Sequence, residues 1–133
     1  MTPTIKLIPN DKLYVSEPDP SWFGNGANPS DTEKAGWTNS NWLKSRFHFS
    51  FAEYHNHANP GYGVMRVMND DLVQAHQGFG THPHQNMEII TYVRKGAITH
   101  RDSKGNVGRT EAGDVQVMSA GTGIYHSEIN LES

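Results

Sequence analysis

Short segments of β-branched or alternating residues, separated by turns that contain glycine, occupy the chain from about residue 87 to residue 130. The clearest segment is 87–93, MEIITYV, whose side chains are typical of a β-strand. Glycine-containing turns follow it at 95–96 and 102–106. No stretch after residue 45 shows a convincing helical period. This pattern predicts an all-β fold, an antiparallel β-sandwich or jelly-roll barrel formed by a single domain.

The first third of the chain is more polar and less regular. Residues 1–35 are rich in proline, glycine, asparagine and aspartate, which predicts an irregular N-terminal arm. Within the arm, the alternating residues 5–8 predict a short edge strand, and Trp22 with Phe23 is its apolar anchor. The β-domain is predicted to cover residues 36–133.

Between the arm and residue 87, the pattern predicts further strands. An aromatic-rich segment runs from Trp37 to Tyr54, and its strictly alternating part, 47–51, predicts a half-buried strand. Residues 63–68 predict another strand, and 69–71 a turn that leads into a short strand at 72–75. We expect the aromatic side chains of this region to belong to the core.

Composition excludes several functions. The net charge is -3 with only 11 Lys+Arg and no basic run, which argues against direct nucleic-acid binding. No apolar run is long enough to span a membrane, and the first ten residues lack the pattern of a signal peptide. The absence of cysteine is consistent with the cytoplasm, which is the location we expect. It also means that imidazole and carboxylate groups must hold any metal.

Two pairs of ligand-type residues stand out. His82 and His84 are separated by one residue, and so are His126 and Glu128. In a strand, residues i and i+2 point to the same face and lie roughly 6–7 Å apart. Two such strands facing each other would bring three imidazoles and a carboxylate together. The sequence therefore predicts a divalent metal site formed by His82, His84, His126 and Glu128.

A single His-x-His pair could arise by chance in a chain with eight histidines. The second pair, bracketed by Gly121 and Gly123, makes chance a much poorer explanation. His55 and His57 form another pair, but they lie in a polar loop without a carboxylate, so we interpret them as solvated. His48 is predicted to be a surface histidine on a half-buried strand, and structural roles are predicted for His76 and His100.

Glu88 has the same parity as His82 and His84, so a regular strand would aim it into the same pocket. It could then be a ligand, a hydrogen-bonding partner of a ligand, or a general base that takes a proton from a phenol or enol. On the later strand, Gln116 and Met118 are predicted to line the cavity.

These motifs together resemble the pirin family of the cupin superfamily. The segments HPHQNMEIITYV, GDVQVMSAGTGIYHSE and FHFSF carry the resemblance, which extends from Trp42 to Asn130. The matching positions of the two cupin motifs are Gly78, His82, Pro83, His84, Glu88 and Gly96 in the first, and Gly113, Asp114, Gly121, His126 and Asn130 in the second.

The resemblance implies a cupin barrel with one metal ion, usually Fe(II), held by His82, His84, His126 and Glu128. Mn, Ni, Co, Cu or Zn are compatible with the same donors. The resemblance further implies an oxidoreductase of the quercetin 2,3-dioxygenase type, acting on flavonol-like or other enolic phenolic substrates with O2. Glu128 and Glu88 are the candidate catalytic residues. Two alternatives stay open: a non-catalytic regulatory or redox-sensing metal protein, and a metal-dependent isomerase or lyase.

Pirins normally carry a second cupin domain after these motifs, and this chain ends at Ser133. The chain is therefore expected to be either a single-domain relative or a fragment. A homodimer, formed through the arm that carries Trp22 and Trp37 or through a sheet face, is our expectation for covering the face that a second domain would occupy.

Overall fold

A computed structural model describes residues 2–25 and 42–132. The chain divides into two compact units. The first consists of Met1–Glu17 and Leu43–Leu72, and the second of Pro18–Trp42 and Val73–Ser133. Trp37 and the predicted boundary between residues 35 and 36 lie outside the described residues, so that boundary stays a prediction.

The first unit is built on a three-stranded sheet. Its strands are β1 (Tyr14–Ser16), β2 (Leu43–Phe47) and β3 (Asn69–Val73), in the order β1-β2-β3. Strand β2 alternates strictly, because residues 43, 45 and 47 are buried and the two between them are half-buried. The Tyr14 ring stacks on Phe47 and Tyr54, with centroids 5.8 and 4.5 Å away.

The second unit contains the other six strands of the residues that the structure describes. They are β4 (Gly78–His84), β5 (Glu88–Tyr92), β6 (Ala97–Asp102), β7 (Val107–Glu111), β8 (Val115–Ser119) and β9 (Ile124–Ile129). Four of them form an antiparallel sheet in the order β4-β9-β6-β7, and β5 pairs antiparallel with β8. The predicted all-β antiparallel architecture is confirmed, and the strands and turns from residue 87 onward lie where the sequence predicted them.

Two small apolar clusters hold the second unit together. Met118, Ala120 and Ile124 are buried, and Ile89 packs against them. Separately, the fully buried Trp42 ring contacts the rings of Phe23 and Phe79, at centroid distances of 5.3 and 5.1 Å. This aromatic cluster lies beside the strand that carries the first pair of histidines.

Several strand predictions for the first unit were wrong. Residues 5–8 form no strand, and Ile5 and Leu7 are 93% and 84% exposed among the described residues. The strand predicted at 47–51 ends at Phe47. Beyond it, Ala52 adopts a positive φ of 47° and the chain turns so that Phe51 pairs with Tyr54.

The region around residue 65 also differs from its prediction. Residues 63–68 are not a strand, because Gly63 has a positive φ of 57° and the chain folds back to pair Tyr62 with Met65. The turn predicted at 69–71 is instead the beginning of β3, which ends at Val73. Local alternation does not reveal this, because the polar residues of β3 are held by pairing within the sheet.

Helical structure is limited to short turns of 3-10 helix, at Asn10–Lys12 and Pro20–Phe23, in the part of the chain that the structure describes. No helix among the described residues has the length and apolar character needed to cross a membrane.

Candidate metal centre

The candidate metal centre lies where β4 pairs with β9. His82 stands directly opposite His126 in the antiparallel register. An irregularity between Phe79 and His82 shifts the register of β4, which is typical of a β-bulge near a functional site. Because side chains alternate along each strand, His84 and Glu128 project from the same face as this pair.

The three imidazole rings converge closely. Their centroids are 4.4 Å apart for His82 and His126, 4.9 Å for His82 and His84, and 4.8 Å for His84 and His126. One ring nitrogen from each lies within 4.8 Å of the other two. The Nε2 atoms of His82 and His126 are only 2.8 Å apart.

The Glu128 carboxylate lies beside the same nitrogens. Its Oε2 atom is 3.7 Å from His126 Nε2 and 4.0 Å from His82 Nε2. The side chain of Glu128 is 16% exposed, so it is largely shielded from water. The structure thus brings together all four residues that the sequence selected as metal ligands.

The donor atoms fit a small divalent ion. Two nitrogens bound about 2.1 Å from one metal at a right angle lie about 3 Å apart, close to the observed separation of the His82 and His126 Nε2 atoms. Imidazole and carboxylate together suit first-row metals such as iron, nickel and zinc. As ligands, the four residues stay a prediction, and their fit supports it.

Burial keeps the central imidazole neutral. Desolvation, followed by the charges of the neighbouring His82, His84 and His100 rings, lowers the pKa of His126 to about 4. Desolvation also lowers the pKa of His84. A neutral ring has a free lone pair, so protons compete weakly with a metal for these nitrogens at neutral pH.

Backbone contacts fix the orientation of the His82 ring. Its Nδ1 atom lies 2.7 Å from the carbonyl oxygen of Gly80 and donates to it, which leaves Nε2 directed at His126. Phe23 and Phe79 approach the ring edge-on, at centroid distances of 6.2 and 6.5 Å. A side chain at Gly80 would come 2.9 Å from the Phe23 carbonyl oxygen, so the close approach requires glycine.

Glu88 does not follow the parity argument. The strand is interrupted at residues 85–87, where Asn86 adopts a positive φ of 52° and donates its N–H to the Gly121 carbonyl. Beyond the break, Glu88 is exposed on β5 and accepts a hydrogen bond of 2.6 Å from the Ser119 hydroxyl. The group of metal-capable side chains found in the described ranges is His82, His84 and His126, and it includes neither Glu88 nor Glu128. Glu128 Oε2 nevertheless lies 3.7 and 4.0 Å from the Nε2 atoms of His126 and His82.

His100 belongs to the centre although the sequence predicted only a structural role for it. It is 4% exposed, and its Nε2 atom lies 2.8 Å from Nδ1 of His126. In the register of β6 and β9, His100 stands opposite Glu128, and Asp102 opposite His126. The shared parity of residues 100 and 102 was visible in the sequence, but the pairing of β6 with β9 was not.

A cavity of about 450 Å³ adjoins His100 in the second unit. Its lining includes His100, Asp102, Gln116 and Met118. The four predicted ligands are not among the lining residues, so a place for Gln116 and Met118 in the metal pocket stays a prediction. The lining is mixed in character, because Met118 and Ile124 supply apolar surface, and other positions supply carboxylate, amide and hydroxyl groups. The cavity has the size of a pocket for a small organic ligand.

The fold and the site define a class of protein: an antiparallel cupin barrel with a candidate centre of three histidines and one glutamate. The Pirin family model matches residues 30–133. The chain therefore belongs to the pirin family.

The relatives are bacterial proteins of roughly twice the length. A Pseudomonas aeruginosa protein is 62% identical over 101 residues, which are 76% of this chain and 44% of that protein. The "Pirin-like protein" of Caulobacter vibrioides is 59% identical over 100 residues, 75% of this chain and 43% of its own length. The "Quercetin 2,3-dioxygenase" of Escherichia coli K12 is 53% identical over 98 residues, which are 74% of this chain and 42% of that protein. The chain spans less than half the length of these relatives.

Crystal structures of Escherichia coli YhhW share the fold. One superposes with a TM-score of 0.69 at 53% identity and covers 72% of this chain and 41% of YhhW. A second, of the bacterial pirin YhhW in complex with nickel(II), gives a TM-score of 0.66 at 53% identity, with coverage of 70% and 40%. The expected cupin fold is confirmed.

Proposed function

We propose that this chain is a metal-dependent dioxygenase domain of the quercetin 2,3-dioxygenase type, acting on flavonol-like or other enolic phenols with O2. One observation carries the proposal: three imidazole nitrogens converge within 4.8 Å, with the Glu128 carboxylate 3.7–4.0 Å from two of them. The name of the Escherichia coli relative supports this reaction and substrate class.

The residues divide the work. His82, His84 and His126 would hold the metal, with Glu128 as the fourth donor. When bound, the metal would supply the Lewis acidity that favours an ionised substrate hydroxyl, together with the redox chemistry that dioxygen requires. Glu128 is the better general base of the two glutamates, because it is shielded and adjoins the histidines, whereas Glu88 is exposed and bonded to Ser119.

Fe(II) is the metal we propose for catalysis. The donor set also accepts nickel, and a nickel(II) complex exists for the YhhW relative. We further propose that the 450 Å³ cavity beside His100 takes the phenolic rings of the substrate. A cytoplasmic location and a homodimer stay predictions.

The test combines metal content with oxygen consumption. Elemental analysis of purified protein should find close to one divalent metal ion per chain, and the Fe(II)-loaded protein should consume O2 when quercetin is added. His82→Ala combined with His126→Ala should abolish both metal retention and O2 uptake. A fully loaded wild-type chain that consumes no O2 with quercetin would refute this activity and favour a non-catalytic regulatory metal protein.

A pair of isosteric variants separates the two glutamates. Glu128→Gln should lose metal affinity and O2 uptake together, because it removes a charged donor beside His126. Glu88→Gln changes only an exposed contact with Ser119. If Glu88→Gln abolished turnover while Glu128→Gln retained it, the proton-accepting role would belong to Glu88.

A further inference from the structure

We propose that His100 is a positioning residue of the metal centre. It holds His126 in one tautomer when the site is metal-free and in the other tautomer when the site is loaded. The inference rests on the proposed metal site. It starts from a buried contact that no ligand assignment uses, the 2.8 Å hydrogen bond between His100 Nε2 and His126 Nδ1.

The hydrogen bonds define a direction in the metal-free centre. The Gly80 carbonyl can only accept, so the proton of His82 is on Nδ1 and a neutral His82 ring has its lone pair on Nε2. His126 must then donate from its Nε2 atom across the 2.8 Å contact. With that proton on Nε2, the Nδ1 atom of His126 accepts, and His100 Nε2 is the donor.

A bound metal reverses this direction. If His126 ligates through Nε2, that atom must be free of its proton, and the neutral ring then carries its proton on Nδ1. His126 now donates to His100, so Nε2 of His100 has to accept. With His82, His126 and His100 all neutral, these rings carry three protons in both states. On loading, one proton leaves His126 Nε2, another passes from His100 Nε2 to His126 Nδ1, and a third arrives at His100 Nδ1.

Few side chains could serve both states at this position. Lysine, arginine and tryptophan only donate, and an ionised carboxylate only accepts, whereas neutral imidazole does either after a change of tautomer. The site is buried, so a mismatched partner would leave a polar atom unsatisfied at substantial cost. His100 and Asp102 also line the 450 Å³ cavity, which gives water a route for the proton exchanged at His100.

This reasoning separates His100 from an ordinary buried histidine. A histidine that only fills space would not change tautomer with the metal, and its replacement by a ring of similar size would not change metal affinity. A partner that orients a ligand histidine does affect metal affinity, typically by 10–100-fold when it is removed.

The first measurement uses long-range ¹H–¹⁵N NMR of the whole chain, metal-free and with Zn²⁺ as a diamagnetic probe. We expect the His126 proton on Nε2 without metal and on Nδ1 with Zn²⁺, and the opposite exchange at His100. A His126 proton that stays on Nδ1 in both states would overturn the proposal.

The second measurement is Zn²⁺ affinity by chelator competition in matched variants. His100→Phe keeps a planar ring but removes the hydrogen bond, and it should weaken Zn²⁺ binding about 10–100-fold. His100→Gln places an amide near the position of Nε2, which can donate or accept after rotation, and should recover most of the affinity. His57→Phe removes an exposed loop histidine and should leave the affinity unchanged.

Equal Zn²⁺ affinity in wild type and folded His100→Phe would overturn the proposal. If His100→Phe does not fold, the wild-type NMR experiment and the Zn²⁺ affinity of His100→Gln still test the proposal. A wild-type chain that binds no Zn²⁺ at His126 would instead refute the metal site itself. Neither readout uses quercetin or O2, so a failure of the proposed dioxygenase activity would be recognised separately.

Discussion

Gly78 is the position at which the contact between β4 and β9 should be least tolerant of change. A methyl group added there would lie 2.3 Å from the carbonyl oxygen of Glu128 and 2.6 Å from the Cα atom of Ile129. Both atoms belong to the backbone of β9, so no side-chain rotation can relieve the overlap. Ordinary contacts between carbon atoms are about 3.5–4.0 Å, so Gly78→Ala must push the two strands apart by about 1 Å.

The cost follows from what such a displacement disturbs. Gly78 exchanges two hydrogen bonds of 2.9 Å with the Asn25 side chain, and the adjacent Gln77 carbonyl accepts one of 2.8 Å from the Asn130 N–H. A hydrogen bond contributes about 0.5–1.5 kcal/mol, and overpacking costs about 1–3 kcal/mol. We therefore expect Gly78→Ala to lower the free energy of unfolding by about 2–4 kcal/mol.

The displacement should also affect the metal centre, because the clashing oxygen belongs to Glu128 itself. Urea unfolding followed by tryptophan fluorescence measures the stability loss, and chelator competition with Zn²⁺ measures the affinity. Gly108→Ala is the matched control, since a methyl group at Gly108 on β7 would meet nothing within 4 Å. That variant should be as stable as wild type or more stable by up to about 1 kcal/mol. A Gly78→Ala protein within about 0.5 kcal/mol of Gly108→Ala would refute the steric reasoning.

Two further predictions concern burial. The pKa of His126 is about 4 in the folded chain and 6.5 when unperturbed, so below pH 6.5 the unfolded state binds a proton that the folded state does not. Chelator-treated protein should lose up to about 3 kcal/mol of unfolding free energy between pH 6.5 and 4. The His126→Gln variant should lack that loss. An equal pH dependence in both proteins would contradict the lowered pKa of His126. Trp42 is fully buried, whereas Trp22 is 65% exposed. Trp42→Ala should cost about 3–5 kcal/mol in urea unfolding and Trp22→Ala about 0.5 kcal/mol or less, and similar costs would contradict the proposed aromatic cluster.

Local sequence predicted the strands after residue 87 because their residues are β-branched and their turns contain glycine, both of which act within a few positions. A local rule, the two-residue period of a strand, also places His82 with His84 and His126 with Glu128 on one face each. The meeting of the two pairs depends on the pairing of β4 with β9. The prediction that Glu88 points into the pocket was wrong because it relied on the same local rule. Asn86 adopts a positive φ and ends the strand, so Glu88 no longer alternates in step with His82 and His84. Asparagine adopts a positive φ more readily than most residues, but a single Asn between two strand-forming segments is a weak signal for such a break.

What the sequence could not supply is the order of strands in the sheet. His100 is 26 residues from His126 and meets it only because β6 lies beside β9. The polar strand β3 was missed for a related reason, since its residues are held by pairing rather than by an apolar face. Pairing between distant strands depends on the whole core, so neither feature could be derived from a window of residues.

The metal centre combines two requirements that oppose each other in a metal-free protein. Its rings must be neutral and close together, and burial of His126 achieves this by penalising the charged imidazole. Buried imidazoles still need hydrogen-bond partners, which the centre supplies through the Gly80 carbonyl and His100. A metal ion would replace the contact between the Nε2 atoms of His82 and His126 and the contacts of Glu128 with both, while the outer partners stay in place. The centre therefore requires little rearrangement of the backbone for loading. The main change on metal binding is the transfer of protons between ring nitrogens.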